Sequence, residues 1–209
     1  MQNYTPAASR VSLKTRGKKN GRKPWAGDLS KTSAIFAFMK TLYIHGLDSH
    51  PVPEKLEILR QHGLDVVALH MDYHNESNVY HTLQNFARSE NVEFIIGSSL
   101  GGFLAYWLGQ DLGLPVLLFN PAMSYSDKLN EHMPEIKNRN CPARFVVIGA
   151  FDETVDPEPN IRFFRKQGDE NCYQRVVVCH WLKHQIDFTT FEEMVPWALK
   201  SYKLFRKNE

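Results

Sequence analysis

Gly97-Ser98-Ser99-Leu100-Gly101 has the spacing G-x-S-x-G. Strand-like residues precede it in "EFIIG" and helix-like residues follow in "GGFLAYWLG". A chain that turns at once from strand to helix holds its central residue in a strained conformation with the side chain exposed. Glycines flank such a residue because a Cβ at either neighbour would collide. Ser99 is thus the candidate nucleophile, with Gly97 and Gly101 as the residues that make room for it. Ser98 is expected to face away as a structural residue. The amide of Leu100, at the start of the following helix, is placed to donate to an oxyanion.

A serine hydroxyl needs a general base, and the base needs an orienting carboxylate. Asp152 follows the segment "RFVVIG" by three residues and is the candidate acid; the competing reading makes it the cap of a helix beginning near Pro157. Glu153 and Asp156 are weaker alternatives. His184, in "CHWLKHQIDF", is the candidate base, with His180 as its rival at the strand end, where a side chain tends to be packed. His45-Gly46 offers the second half of an oxyanion hole. Gly46 permits close approach, Leu47 donates its amide, and His45 is read as a packed anchor of that loop. Asp48 and Ser49 are expected at the rim.

Elements must bring these distant residues together. Short, β-branched or aromatic runs predict strands at 41–45, 65–69, 93–97, 115–119, 144–149 and 174–179. They do not alternate, which is how strands covered on both faces read. Helices are predicted at 52–62, 76–90, 101–112, 157–167 and 190–205. Alternating strands and helices imply βαβ units and a parallel sheet between two helical layers. Ligands bind beyond the carboxyl ends of such strands, where each residue singled out above is found. The connection 120–143 is long enough only for a small cap, so an open site is expected. Met123, Tyr125 and Trp181 are candidates for an acyl pocket or for core and rim; Trp181 is read as the latter.

The chain is 43% hydrophobic and 23% charged, ordinary for one globular domain. Its charge is uneven. Residues 1–38 hold eight Lys and Arg against the single acid Asp28, a net +7; the rest holds 17 basic and 22 acidic residues, a net −5. The head lacks apolar periodicity. It reads as a nucleic-acid arm, an organelle transit peptide, or a disordered extension ahead of a domain spanning 39–209 that starts near Met39. Nucleic acid is expected only through this extension. Cys141, Cys172 and Cys179 cannot all pair and have no metal spacing, which points to a reducing, cytoplasmic compartment. No run approaches the roughly 20 apolar residues that cross a bilayer. No metal or cofactor is called for, and nothing in the sequence speaks to an oligomeric state.

The segments "LYIHGLDSHP", "IIGSSLGGFLAYWLGQDLGLPVLLFNPA", "GAFDETVD" and "HQIDFTTFEE" resemble the YqiA-type esterase family over residues 40 to about 205. The resemblance implies an α/β-hydrolase-type three-layer sandwich with about six mostly parallel strands and a minimal cap. It places the family's nucleophile on Ser99, its acid on Asp152 and its histidine on His184. It implies esterase or thioesterase activity on small acyl substrates without a metal. The turn before the histidine differs, reading His180-Trp181-Leu182-Lys183 where the family is rich in glycine and asparagine.

Overall fold

The structure, a computed structural model, describes residues 39–124, 143–166 and 173–207. The basic head, Tyr125, Cys141, Cys172 and most of the 120–143 connection lie outside the described residues. Six strands are present: β1 Met39–Ile44, β2 Leu64–Ala68, β3 Phe94–Ser98, β4 Val116–Phe119, β5 Arg144–Gly149 and β6 Gln174–Cys179. The helices among the described residues are α1 Pro53–Gln61, α2 Val79–Ser89, α3 Leu100–Leu112, α4 Pro157–Lys166 and α5 Phe188–Arg206.

The strands form one sheet in the order β2-β1-β3-β4-β5-β6, and every pair is parallel. Alternate residues of each strand serve opposite layers. Leu42, Ile44, Ile95 and Leu118 pack with α2, α3 and α4. Tyr43, Phe94, Ile96 and Phe119 pack with α1 and α5. The central strands are buried on both faces, hence their unbroken apolar runs. Edge strand β6 is a correction to that expectation: Val176 and Val178 remain exposed, as no strand lies beyond β6 among the described residues.

The chain passes from β2 back across β1 to β3, so the direction of winding reverses between β1 and β3. Crevices form at such switch points, and both glycine-flanked turns singled out from sequence lie there. Helix starts differ from expectation where polar side chains intervene. Glu76 is taken up in a turn, its amide donating to the Asp72 carbonyl and its carboxylate accepting from the Asp72 amide. Hence α2 begins at Val79 rather than 76. Asp187 accepts from the Thr190 amide at 2.8 Å and starts α5 at Phe188. Among the described residues no helix is long and apolar enough to cross a membrane.

Candidate active site

Ser99 joins β3 to α3 with φ 55° and ψ −122°, a conformation that costs a non-glycine residue about 1–3 kcal/mol. Tertiary bonds hold it there. Its amide donates to the Phe119 carbonyl at 2.9 Å, and its own carbonyl accepts from the amides of Phe103 and Ala122 at 3.1 and 2.9 Å. Absence of side chains does the rest. A Cβ on Gly97 would lie 2.7 Å from that of Ala105, and one on Gly101 would lie 2.8 Å from the Ile44 carbonyl carbon. Gly46 presses against the serine itself, since a Cβ there would come within 3.0 Å of the Ser99 Cβ. The amides of Leu47 and Leu100 donate to no backbone carbonyl among the described residues, as first-turn helix amides such as Leu100 generally do not.

His45 is buried and fastens the β1 loop. Its Nε2 accepts from the Met71 amide at 3.0 Å, so Nδ1 carries the proton and donates to the Gly46 carbonyl at 2.8 Å. The Tyr73 hydroxyl donates to the His45 carbonyl at 2.7 Å. Burial pushes the pKa of the ring down, partly offset by the Gly46 bond.

The structure brings His184 and Asp152 together. Nδ1 of His184 donates to the Asp152 carboxylate, 2.8 Å from Oδ2 and 3.0 Å from Oδ1. The carboxylate is further held by the amides of Thr154 and Val155 on Oδ1, at 2.9 and 2.8 Å. Its side chain is 1% exposed and that of His184 is 22% exposed, so the ring reaches from a buried anchor toward solvent. Asp152 does not cap α4; Asp156 does, accepting from the Glu158 amide at 3.0 Å. His180 is exposed rather than packed, because it follows the last residue of an edge strand.

Two cavities meet at Ser99, His184, Leu47 and Asp48. One of about 240 Å³ is walled by Leu100, Ala122 and Val155. The other, about 570 Å³, is walled by Tyr43, Ser49, Lys55, Ser98 and Asp187 among others. Ser99 and His184 face these spaces together, with no hydrogen bond between them. Such bonds in unliganded sites often form only with substrate. Ser98 corrects its expectation: it is half-buried and lines the larger cavity as the last residue of β3, paired with Phe119 and next to Gly46 of the β1 loop.

Residues 40–156 match the uncharacterised protein family UPF0227, more than half the chain. The chain belongs to this family. The matched span runs from β1 past β5, and so contains Ser99 and Asp152 but not His184. A UPF0227 protein of Shewanella woodyi is 28% identical over 137 residues, covering 55% of this chain and 76% of that one. Among solved structures, the monoacylglycerol lipase of Paleococcus ferrophilus superposes with TM-score 0.62 at 12% identity, over 78% of this chain and 94% of that one. The S-formylglutathione hydrolase of Agrobacterium tumefaciens gives 0.55 at 12%, over 82% and 87%. Likeness at this identity shows the fold: this UPF0227 chain has the α/β-hydrolase fold, its six described strands all parallel rather than mostly so.

Two residues of this UPF0227 chain hold roles that the sequence does not announce: Asn120 reads only as one of the residues just past a strand, and Lys55 as one residue of a helix. Asn120, fully buried with φ 42°, ties the ends of β4 and β5 to the His184 loop. Its Nδ2 donates to the carbonyls of Lys183 and His184 at 2.8 and 3.0 Å, and its Oδ1 accepts from the Gly149 amide at 2.6 Å. The signal was the Asn-Pro pair directly after a strand, which reads as an ordinary turn. Lys55 is the other, a residue of the helix predicted at 52–62. Met123 packs half-buried against the α3-side core. Trp181 is 63% exposed, its indole donating to the Thr190 hydroxyl. Among the described residues no cluster of His, Cys, Asp and Glu could hold a metal ion.

Proposed function

We propose that this chain is a serine hydrolase cleaving carboxylic esters or thioesters through Ser99, His184 and Asp152. The observation that carries the reading is the bond from His184 Nδ1 to a buried carboxylate, its other ring nitrogen left for the cavities where a strained serine is displayed. Nε2 takes the Ser99 proton as Oγ attacks the substrate carbonyl. The amides of Leu47 and Leu100 stabilise the resulting oxyanion, each worth about 3–4 kcal/mol in such sites. His184 returns the proton to the departing alcohol or thiol. Water, deprotonated by His184, then releases the acyl group and regenerates the serine. Asp152 fixes the Nδ1–H tautomer and offsets the charge of the imidazolium. These steps balance with substrate and water alone. His45, Gly46, Gly97 and Gly101 act by shaping the elbow and the loop facing it. Solved structures of like fold, described as a lipase and an esterase, support the reaction class. The working unit in this reading is residues 39–209, with 1–38 an appended extension. A cytoplasmic setting suits the buried free thiol of Cys179.

A fluorophosphonate probe, with a panel of nitrophenyl esters and acyl-CoA thioesters of graded length, tests the reading. The folded wild type should label and turn over esters. Ser99→Ala should abolish labelling, and it and His184→Ala should each lower kcat by about 10⁴-fold or more, whereas His180→Ala stays within about threefold of wild type. A folded wild type that neither labels nor turns over any ester is instead a silent hydrolase fold serving as a binding module, and the reading is wrong.

A further inference from the structure

Lys55 lines the larger cavity from the first turn of α1. That is an unfavourable place for a cation, since the helix dipole puts its positive end there. The side chain is half-buried. Burial pushes its pKa down, while the nearby Asp187 carboxylate pulls it up. The ammonium lies 5.4 Å from the centroid of the Phe191 ring and makes no hydrogen bond or ion pair among the described residues. Tyr43 lines the same wall. Its burial pushes the phenol up to about 12, so it stays a neutral donor at ordinary pH. The hydroxyl residues Ser49 and Ser98 complete a donor-rich lining.

Two carboxylates share this cavity, and each is engaged elsewhere. Asp187 accepts from both the amide and the hydroxyl of Thr190 at the α5 N-terminus. Asp48 accepts from His74 Nε2 at 2.6 Å and is largely in solvent, which screens it. A ligand filling the cavity would strip water from Lys55. An apolar ligand offers nothing in return, and an anion offers a charge-assisted hydrogen bond, stronger than any from a neutral acceptor.

We propose that the larger cavity binds an anionic group of the substrate, a carboxylate or a phosphate, and that Lys55 sets this specificity. The proposal rests on the ester-hydrolase reading above. The smaller cavity, walled by Leu100, Ala122 and Val155, takes an apolar portion. Discrimination arises because the site penalises the uncharged analogue, not only because it attracts the charged one.

The test uses matched esters. Mono-4-nitrophenyl adipate against 4-nitrophenyl hexanoate reads a carboxylate; 4-acetoxyphenyl phosphate against phenyl acetate reads a phosphate. The wild type should favour the charged member of at least one pair about tenfold or more in kcat/KM, and the favoured pair names the anion. Lys55→Met keeps an apolar stem against Phe191 and should bring that ratio to about one. Lys55→Arg should keep it and Lys55→Glu should invert it. If Lys55→Met fails to fold, Lys55→Gln takes its place. A wild-type ratio near one, or a ratio unchanged in the methionine variant, overturns the proposal while leaving the hydrolase reading intact. If no ester is turned over, the hydrolase reading has failed, and binding decides the rest. Adipate and inorganic phosphate are then titrated by calorimetry into Ser99→Ala and Ser99→Ala/Lys55→Met. Affinity at least tenfold weaker in the double variant supports the cavity's anion specificity; no binding, or equal binding, overturns it.

Discussion

Ser99 and His184 face the same cavities but are held there by opposite means. The serine elbow is fixed by backbone bonds and by missing side chains: its amide and carbonyl are tied to Phe119, Phe103 and Ala122, and glycines let α3 press against β1. The histidine loop is fixed by side chains that come from afar. Asp152 is 32 residues away and Asn120 is 64. One half of the site is local geometry, and the other is a long-range polar network. The first tolerates almost no added atoms. The second tolerates almost no lost ones.

The largest effect should come from taking an atom set out of the second half. Asn120→Ala removes three hydrogen bonds from a fully buried position and leaves the Gly149 amide and two carbonyls without their partner. It also puts alanine at φ 42°. Together these should cost about 4 kcal/mol of stability. Asn120 positions the His184 backbone, so kcat on a neutral ester should fall about 100-fold with KM little changed. Asn120→Gly loses the same bonds without the backbone penalty and should recover about 1 kcal/mol, measured by urea denaturation. Equal stability of the two variants would remove strain from the account.

Adding one atom to the first half should cost less. Gly101→Ala drives a Cβ into the backbone of Ile44 and His45, which cannot swing aside as a side chain would. Overpacking of about 2–3 kcal/mol is expected, even after the gain from alanine's helix propensity. The elbow and the Gly46-Leu47 loop should separate. Loss of kcat/KM with unchanged fluorophosphonate labelling at saturating probe would mark misplacement of the Leu47 and Leu100 amides proposed as oxyanion donors; full activity would show that the contact relaxes freely.

The same contrast governs what could be read from sequence. The elbow is encoded within a dozen residues, and "IIGSSLGGFLAYW" announces strand, turn and helix together. Strands β5 and β6 fall where their apolar runs lie, at 144–149 and 174–179. Asp152 was legible as a polar residue just past a strand, although the bland alternative, helix capping, falls to Asp156. Asn120 was not legible as a positioning residue, because its partners lie on a loop that no local pattern links to it. His180 reads as packed because it sits at a strand end, and Ser98 as turned away because it is the x of G-x-S-x-G; yet His180 is exposed and Ser98 is half-buried at the larger cavity. Lys55 was invisible for a related reason. A lysine in an amphipathic helix is ordinarily solvated, and only the sheet's crossing point turns that helix end toward a cavity.

The smallest effect separates the halves by pH. The anchor of the elbow's facing loop, His45, titrates, while the anchor of the histidine loop, Asn120, does not. In the folded chain burial holds His45 below its ordinary value of 6.5, and its Nε2 must stay unprotonated to accept from Met71. The unfolded chain therefore takes up the proton first as pH falls. The stability His45 contributes is complete above about pH 6.5 and is lost as pH drops from there through the lower folded value, at no more than about 1.4 kcal/mol per pH unit. His62 is shifted the same way, again chiefly by burial, and so part of the acid sensitivity belongs to it. His45→Gln should cost about 1 kcal/mol at pH 8 through the weakened bond to Met71. That gap should narrow toward about pH 5, because the variant has no proton to take up at this position. Urea denaturation at the two pH values reads the difference directly. Parallel stability curves for wild type and variant would mean that the loop facing the serine is held by packing against His70 and Tyr73, with the hydrogen bond incidental.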